Sequence, residues 1–135
     1  MENSNQFLET VAEYDQDSLR FQKIEFANKL ILNVLTNDIM DTTLDIPLST
    51  QATINDGLSD EDSLGVEPVV LVGNPHNLKI QVVAGQIGKV VRQLKNPRNV
   101  ILSLGSRWFG SGDSTEDGDF EKLMFVLGNI KKLLE

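Results

Sequence analysis

The residues that could do chemistry are scattered along the chain, and the first candidate is an acidic run shaped like a calcium loop. Asp113 and Asp117 would occupy positions one and five of such a loop, with Gly118 at position six. Position twelve is Met124, where a calcium loop needs a bidentate glutamate. The run lacks its main ligand, so we interpret it as a capped turn that leads into a helix.

Nucleophilic catalysis has little support. His76 is the only histidine, and it follows Asn74-Pro75 in a predicted turn. Ser106 and Ser111 lie in a glycine-rich stretch, but Ser111 stands in Gly-Ser-Gly rather than in the Gly-x-Ser-x-Gly of a nucleophile elbow. A serine–histidine site would depend on His76 alone, and the absence of cysteine excludes thiolate nucleophiles and disulfides. We predict no catalytic residue.

Metal and cofactor sites lack support as well. One histidine and no cysteine do not make a zinc site, and the acids near Asp60 are contiguous rather than spaced as ligands. Gly85 and Gly88 lie inside a predicted helix, without the strand-and-turn context of a nucleotide-binding loop. We predict that they let the helix backbone approach the sheet or a partner closely. No metal and no cofactor are expected.

The charge distribution bears on the class of partner. The net charge of −8 disfavours nucleic acid, because its binding depends on Lys and Arg contacts to phosphates. No Lys or Arg lies between Lys29 and Lys79, and this window contains an acidic connection, residues 49–65. The connection is either a solvated loop or an acidic surface that steers a basic partner. The acids near its centre are Asp60, Glu61 and Asp62.

Length and terminal sequence define the expected organisation. At 135 residues the chain fits one domain, which we predict to cover residues 1–135. The first five residues contain no basic residue and no apolar run, unlike a secretory or transit peptide. No apolar run approaches the roughly 18 residues of a membrane span. We expect a protein of the cytoplasm or the nucleus with no membrane partner.

Apolar patterning predicts about six strands. Residues 7–11 and 19–26 flank a polar turn, as the strands of a hairpin do. Residues 42–48 alternate between two faces, and three further apolar runs have the length of buried strands. These runs are residues 30–35, 66–72 and 100–104.

Two amphipathic helices accompany the strands, because apolar residues recur with helical spacing in two places. Asp117 or Asp119 is expected to cap the second helix. The first stripe is Ile80, Val83, Ala84, Ile87, Val91 and Leu94, and the second is Phe120, Leu123, Met124, Leu127, Ile130 and Leu134.

This order of elements predicts an α+β fold, a mostly antiparallel sheet or sandwich of about six strands with two helices packed on one side. The central strands are apolar on both faces, yet two helices can cover only one. Either the sheet folds over as a sandwich, or another chain covers the second face. We predict a partner interface on the slightly more polar face. Its residues are Ile31, Asn33, Leu35, Ile101 and Ser103.

The loop Arg107-Trp108-Phe109 is the other candidate contact. It carries the only tryptophan and lies between glycines. Tryptophan and arginine contribute strongly to binding energy at protein interfaces. The loop is either a contact for a partner or a segment held by two aromatic side chains packed on the domain edge.

Taken in order, these stretches are similar to the proteasome assembly chaperone 3 family. The resemblance covers nearly the whole chain from about Leu19. It includes Leu-Ile-Leu-Asn-Val-Leu-Thr at 30–36, Leu-Asp-Ile-Pro-Leu at 44–48, Glu-Pro-Val-Val-Leu-Val-Gly-Asn at 67–74 and Arg-Asn-Val-Ile-Leu-Ser-Leu-Gly-Ser at 98–106. The long connection 49–65 and the loop 107–117 look closer to the fungal form.

The resemblance implies a non-catalytic chaperone. It implies a heterodimer with a second small chaperone, the fourth of the set. That pair would bind an α subunit, in fungi the α5 subunit, and promote assembly of the α ring of the 20S proteasome. The candidates for α-subunit contact are Arg107, Trp108, Phe109, Asp60, Glu61 and Asp62. The competing interpretation is an unrelated interaction or scaffold module with a longin-like α+β fold.

Overall fold

The computed structural model describes residues 6–48, 67–94, 97–110 and 116–135. In this part of the chain, six strands and two helices form the predicted α+β fold. The strands are β1 (Gln6–Tyr14), β2 (Asp17–Glu25), β3 (Lys29–Thr36), β4 (Thr42–Ile46), β5 (Val69–Val72) and β6 (Asn99–Leu104). The helices are α1 (Leu78–Arg92) and α2 (Asp119–Leu134).

All six strands join one sheet in the order β1-β2-β3-β6-β4-β5. Neighbouring strands are antiparallel except β3 and β6, which run parallel and pair Leu30 with Val100 and Leu32 with Leu102. Parallel neighbours need a long crossover, and here the crossover contains β4, β5 and α1. The described strands therefore form a single layer rather than a sandwich.

The predicted hairpin is β1 and β2. Its register runs without a break from Gln6 opposite Glu25 to Tyr14 opposite Asp17. The two strands are joined by a two-residue loop in which Asp15 has a φ of 56°. Aspartate tolerates this left-handed conformation better than most residues, so the local sequence suits the tight turn.

Helix α1 packs as its apolar stripe predicts. Five stripe residues are buried and Leu94 packs against the same core. The Asn77 side chain caps the helix by accepting the Ile80 N–H at 3.2 Å. Gly85, in contrast, does not mark a close approach, since a Cβ built there would meet nothing within 4 Å. The prediction of a close approach to the sheet is wrong for Gly85, while Gly88 is buried. The predicted approach to a partner stays a prediction.

Helix α2 is rotated relative to its predicted stripe. Phe120 is 65% exposed and Met124 is also exposed, although both belong to that stripe. Leu127 and Ile130 are buried as expected, and Leu123 and Leu134 pack partly against the core. The buried residues of α2 are Val126, Leu127, Ile130 and Leu133.

The capping prediction for α2 is also wrong. Gly118 occupies the N-cap with a φ of 90°, and no side chain caps the helix there. Asp119 instead accepts the Glu116 N–H at 2.7 Å and pairs with the Lys79 ammonium at 3.1 Å. The Glu116 hydrogen bond, supported by Lys79, holds the pKa of Asp119 below its ordinary value. Asp119 thus joins the two helices instead of capping one.

Candidate protein-binding surface

The face of the sheet opposite the helices, here called the open face, carries three rows of side chains that cross several strands. Strand β3 shows the alternation, with Leu30, Leu32 and Val34 buried under the helices while the intervening residues are partly exposed. The apolar row is Phe7, Ile24, Ile31 and Ile101; the polar row is Glu9, Gln22, Asn33, Ser103 and Thr43; the third row is Val11, Arg20 and Leu35.

The sheet register places the five residues of the predicted partner interface side by side. Ile31 lies beside Ile101, and Asn33 lies beside Ser103, on the parallel pair β3–β6. Leu35 follows on the same face of β3, opposite Arg20 of β2. All five are partly exposed in this chain. The predicted residues are therefore neighbours on one surface.

Hydrogen bonds connect the polar row. The Gln22 amide donates to Glu9 at 2.9 Å, and the Asn33 amide donates to Gln22 at 3.1 Å. On the other side of the row, the hydroxyls of Thr43 and Ser103 are 2.9 Å apart. The Gln22 hydrogen bond lowers the pKa of Glu9. The row gives the open face a fixed polar pattern between two more apolar rows.

The loop with the tryptophan packs inward. Trp108 is 8% exposed and Phe109 is 5% exposed, whereas Arg107 is exposed. The Trp108 indole N–H donates to the Asp17 carboxylate at 3.0 Å. Its ring meets Tyr14 edge-on at 5.5 Å between centroids. The loop is held by its two aromatic side chains packed on the domain, which is the second of the two interpretations drawn from the sequence.

One cation and one anion hold the same loop in place. The Lys122 ammonium donates to the Trp108 carbonyl at 2.7 Å and lies 5.0 Å from the centre of the Trp108 ring. At the start of the loop, Asp41 accepts both the N–H of Ser106, at 2.9 Å, and its hydroxyl, at 3.2 Å. Burial disfavours the Asp41 charge, but hydrogen bonds from Ser106 and Thr42 outweigh it and lower the pKa of Asp41.

Residues singled out for possible chemistry do not form a site in the described part of the chain. His76 lies in an exposed turn, where its backbone N–H donates to Asn74 at 2.9 Å. The Ser106 hydroxyl is engaged by Asp41. Within the described ranges, no group of three His, Cys, Asp or Glu side chains could hold a metal ion. Ser111, Asp113 and the acids Asp60, Glu61 and Asp62 lie outside the described residues.

Sequence patterning missed a cleft between the amino-terminal ends of the two helices. It measures about 220 Å³, and its walls include Val82 and Phe120, both exposed apolar side chains. Lys79 and Asp119 lie at its edge and pair with each other. The predicted stripe placed Phe120 in the core. In the structure α2 is rotated so that Phe120 lines this cleft instead. Neither described helix has the length and apolarity to cross a membrane.

The model of a family described as 20S proteasome chaperone assembly proteins 3 and 4 matches residues 1–131. The chain belongs to this family. It is thus a proteasome assembly chaperone, and the resemblance noted in the sequence is confirmed.

A solved structure supports the assignment of this proteasome assembly chaperone. The crystal structure of a chaperone complex for yeast 20S proteasome assembly contains a chain with 26% sequence identity and a TM-score of 0.71. The similarity covers 98% of this chaperone and 100% of that chain. A search of curated proteins found no match.

Proposed function

We propose that this proteasome assembly chaperone pairs with a second small chaperone, the fourth of the set, through its open face. The observation that carries the proposal is the apolar row, which crosses four strands and ends in Phe7, a side chain 54% exposed. The described helices pack on the opposite face, so a partner sheet laid on the open face would bury this row. The related yeast chain was itself crystallised within a chaperone complex.

The polar row supports an interface of defined register. Burying apolar rows supplies affinity but little specificity, since it has no directional preference. The ordered amides of Gln22 and Asn33 and the hydroxyls of Thr43 and Ser103 are directional, so a partner has to match them. An interface with an apolar core and a few ordered polar groups is typical of stable but separable pairs.

We propose further that the pair holds an α subunit, in fungi the α5 subunit, during assembly of the α ring. Arg107 is exposed and is the described residue best suited to contact it. Trp108 and Phe109 would support this contact from beneath, because both are buried. Asp60, Glu61 and Asp62 would steer a basic surface of the α subunit through long-range attraction.

The chaperone would act by binding alone, without a catalytic residue and without a cofactor. We place it in the cytoplasm or the nucleus. Affinity purification followed by mass spectrometry tests this proposal, because a proteasome chaperone should bring down proteasome α subunits. An unrelated scaffold module of the same fold would bring down none.

The pairing surface is tested with Ile31→Asp in the full-length chaperone co-expressed with its partner chaperone. Ile31 is partly exposed, so the substitution should leave the isolated chain folded. It places a charge within the apolar row, and pairing should weaken by about thirtyfold or more. Sedimentation velocity measures the fraction paired.

The matched control is Val82→Asp, which makes the same kind of change on the helix side, where Val82 is exposed. This variant should pair normally. Wild-type pairing by Ile31→Asp, with Val82→Asp equally normal, would refute the open face as the pairing surface.

A further inference from the structure

The two edges of the sheet differ in a way that bears on binding. The β5 edge is only four residues long, contains a register shift where it pairs with β4, and is flanked by Pro68 and Gly73. Short length, bulges and proline are devices that keep an edge strand from pairing with other chains. At the opposite edge, β1 has nine residues in unbroken register and contains no proline, glycine or lysine.

Hairpin geometry fixes which backbone groups of β1 point outward. Because a two-residue loop joins the strands, Tyr14 and Asp17 must be a hydrogen-bonded pair. Hydrogen-bonded and non-hydrogen-bonded pairs alternate along an antiparallel ladder. The odd-numbered residues of β1 therefore direct their N–H and C=O groups away from β2. Among the described residues, no strand lies on that side. The four residues are Phe7, Glu9, Val11 and Glu13.

The side chains of the same four residues define what an added strand would meet. They lie on the open face and alternate between apolar and acidic. Phe7 and Val11 are 54% and 55% exposed. Glu13 is exposed, and Glu9 accepts hydrogen bonds from the side chains of Gln22 and Arg20. Directly opposed side chains in a sheet stabilise each other when apolar faces apolar and acid faces base.

We propose that the outer edge of β1 binds an extended segment of another protein, which joins the sheet as an added strand and alternates apolar residues with Lys or Arg. Backbone pairing supplies affinity, and the alternation supplies specificity. A second copy of this chain fits poorly, because it brings the same acids and a further net charge of −8. The site shares the side chains of Phe7, Glu9 and Val11 with the open face, but it uses the outward backbone groups of β1, whereas the proposed pairing surface is centred on β3 and β6.

The test uses the full chain and a capped nine-residue peptide, Thr-Lys-Thr-Val-Thr-Lys-Thr-Val-Thr. Two matched peptides accompany it: one with glutamate in place of both lysines, and one with N-methyl groups on both valine amides. NMR titration of the labelled protein gives the Kd and the location of the shifts. The lysine peptide should shift β1 and its neighbour β2, while the other two should bind about tenfold more weakly or worse.

Protein variants test the same edge from the other side. Val11→Pro removes an outward N–H without removing a hydrogen bond to β2, so the hairpin should persist while peptide binding falls about tenfold or more. Val11→Thr keeps that N–H and should bind within about threefold of wild type. Phe7→Pro provides a second such variant near the start of the strand, should Val11→Pro perturb the fold. Glu13→Lys should narrow or reverse the preference for the lysine peptide.

Four results would overturn the proposal: no binding of the lysine peptide, equal binding of the N-methylated peptide, wild-type affinity in folded Val11→Pro and Phe7→Pro, or shifts confined to residues away from β1 and β2. None of these depends on the partner chaperone or on an α subunit. Failure of the edge site and failure of the proposed pairing are therefore separately visible.

Discussion

Trp108 uses both its polar and its aromatic character inside the domain. Its indole N–H is bonded to Asp17, on the hairpin, and its ring contacts Tyr14 and Phe109 edge-on. The Lys122 ammonium, on α2, lies 5.0 Å from the centre of its ring. One side chain thus ties a loop after β6 to the first hairpin and to the last helix, so its removal should loosen three distant parts of the chain.

We expect Trp108→Ala to lower the free energy of unfolding by about 3–5 kcal/mol, the usual cost of truncating a buried aromatic residue. Urea denaturation measures it. Arg107→Ala is the matched control, since Arg107 is exposed on the same loop and its loss should change stability by about 0.5 kcal/mol or less. If Trp108→Ala retained full stability but released an α subunit, Trp108 would be a contact residue rather than a support for the loop.

The position of Trp108 illustrates what single residues in a sequence do not reveal. A tryptophan between glycines has the same local sequence whether it points outward or inward. The deciding partner, Asp17, is 91 positions away along the chain. Composition therefore identified the residue, but only the fold determines which way it faces.

The two helices show when periodicity is sufficient. In α1, Gln, Gly and Lys separate the apolar residues, so the sequence defines a single apolar side of the helix. That side is buried. In α2, five consecutive apolar residues, 123–127, allow more than one phase. Phe125 packs on Tyr14 and Phe21, and this contact fixes which side of α2 faces the core. Phe120 and Met124 are therefore on the exposed side. Tertiary contacts therefore determine the orientation of α2, because its sequence allows more than one apolar side.

Replacing two glycines, Gly85 and Gly105, by alanine should change the stability of the protein in opposite directions. Gly85 lies within α1 with open space around its Cβ position, so Gly85→Ala should stabilise the protein by up to about 1 kcal/mol through helix propensity. Gly105 follows β6, and a Cβ there would collide with the Thr36 hydroxyl and the Ile39 carbonyl. Gly105→Ala should destabilise by about 3 kcal/mol.

Thermal and urea denaturation measure the change in the free energy of unfolding for both variants. Because each variant adds the same methyl group, the difference between them isolates the local environment. A destabilising Gly85→Ala would mean that α1 approaches something at that position after all. If Gly105→Ala left the stability unchanged, the backbone around Ile39 would move aside at little cost in free energy.

At the scale of the whole molecule, sequence reasoning predicted the elements and their two faces but not the order of the strands. Hairpin β1–β2 was predictable because its partners are adjacent and separated by a turn. The insertion of β6 between β3 and β4 rests on pairings such as Ile31 with Ile101, 70 positions apart. Local propensity carries no information about pairings at that distance.

Four carboxylates link the fold to pH. Glu25 is hydrogen-bonded by Lys23, and its pKa, like those of Glu9, Asp41 and Asp119, is lowered in the folded chain. The unfolded chain therefore takes up protons first, near the ordinary values of 4.5 for Glu and 3.8 for Asp. The stability they contribute is fully present above those values and is lost as pH falls through the lower folded-state pKa values.

We expect the Tm to be nearly constant from about pH 7 to about pH 5 and to fall below about pH 4.5. Asp41→Asn should lower the Tm at neutral pH and reduce the acid-induced fall, because it removes one of the four groups. Asp38→Asn controls for the loss of an acid at an exposed position nearby. Scanning calorimetry across pH measures the Tm of wild type and of both variants. If the Tm of Asp41→Asn fell at low pH as steeply as that of wild type, Asp41 would not contribute to the acid sensitivity.

The late arrival of β6 has a consequence for synthesis. The hairpin and β3 can form as soon as they leave the ribosome, but the inner edges of β3 and β4 have no partner until residues 99–104 emerge. At typical translation speeds, the roughly 50 residues between β4 and β6 take roughly 3–10 s to synthesise. During that interval, the nascent chain exposes two central strand edges flanked by apolar side chains. A protein that assists the assembly of others thus passes through a stage in which it needs protection itself.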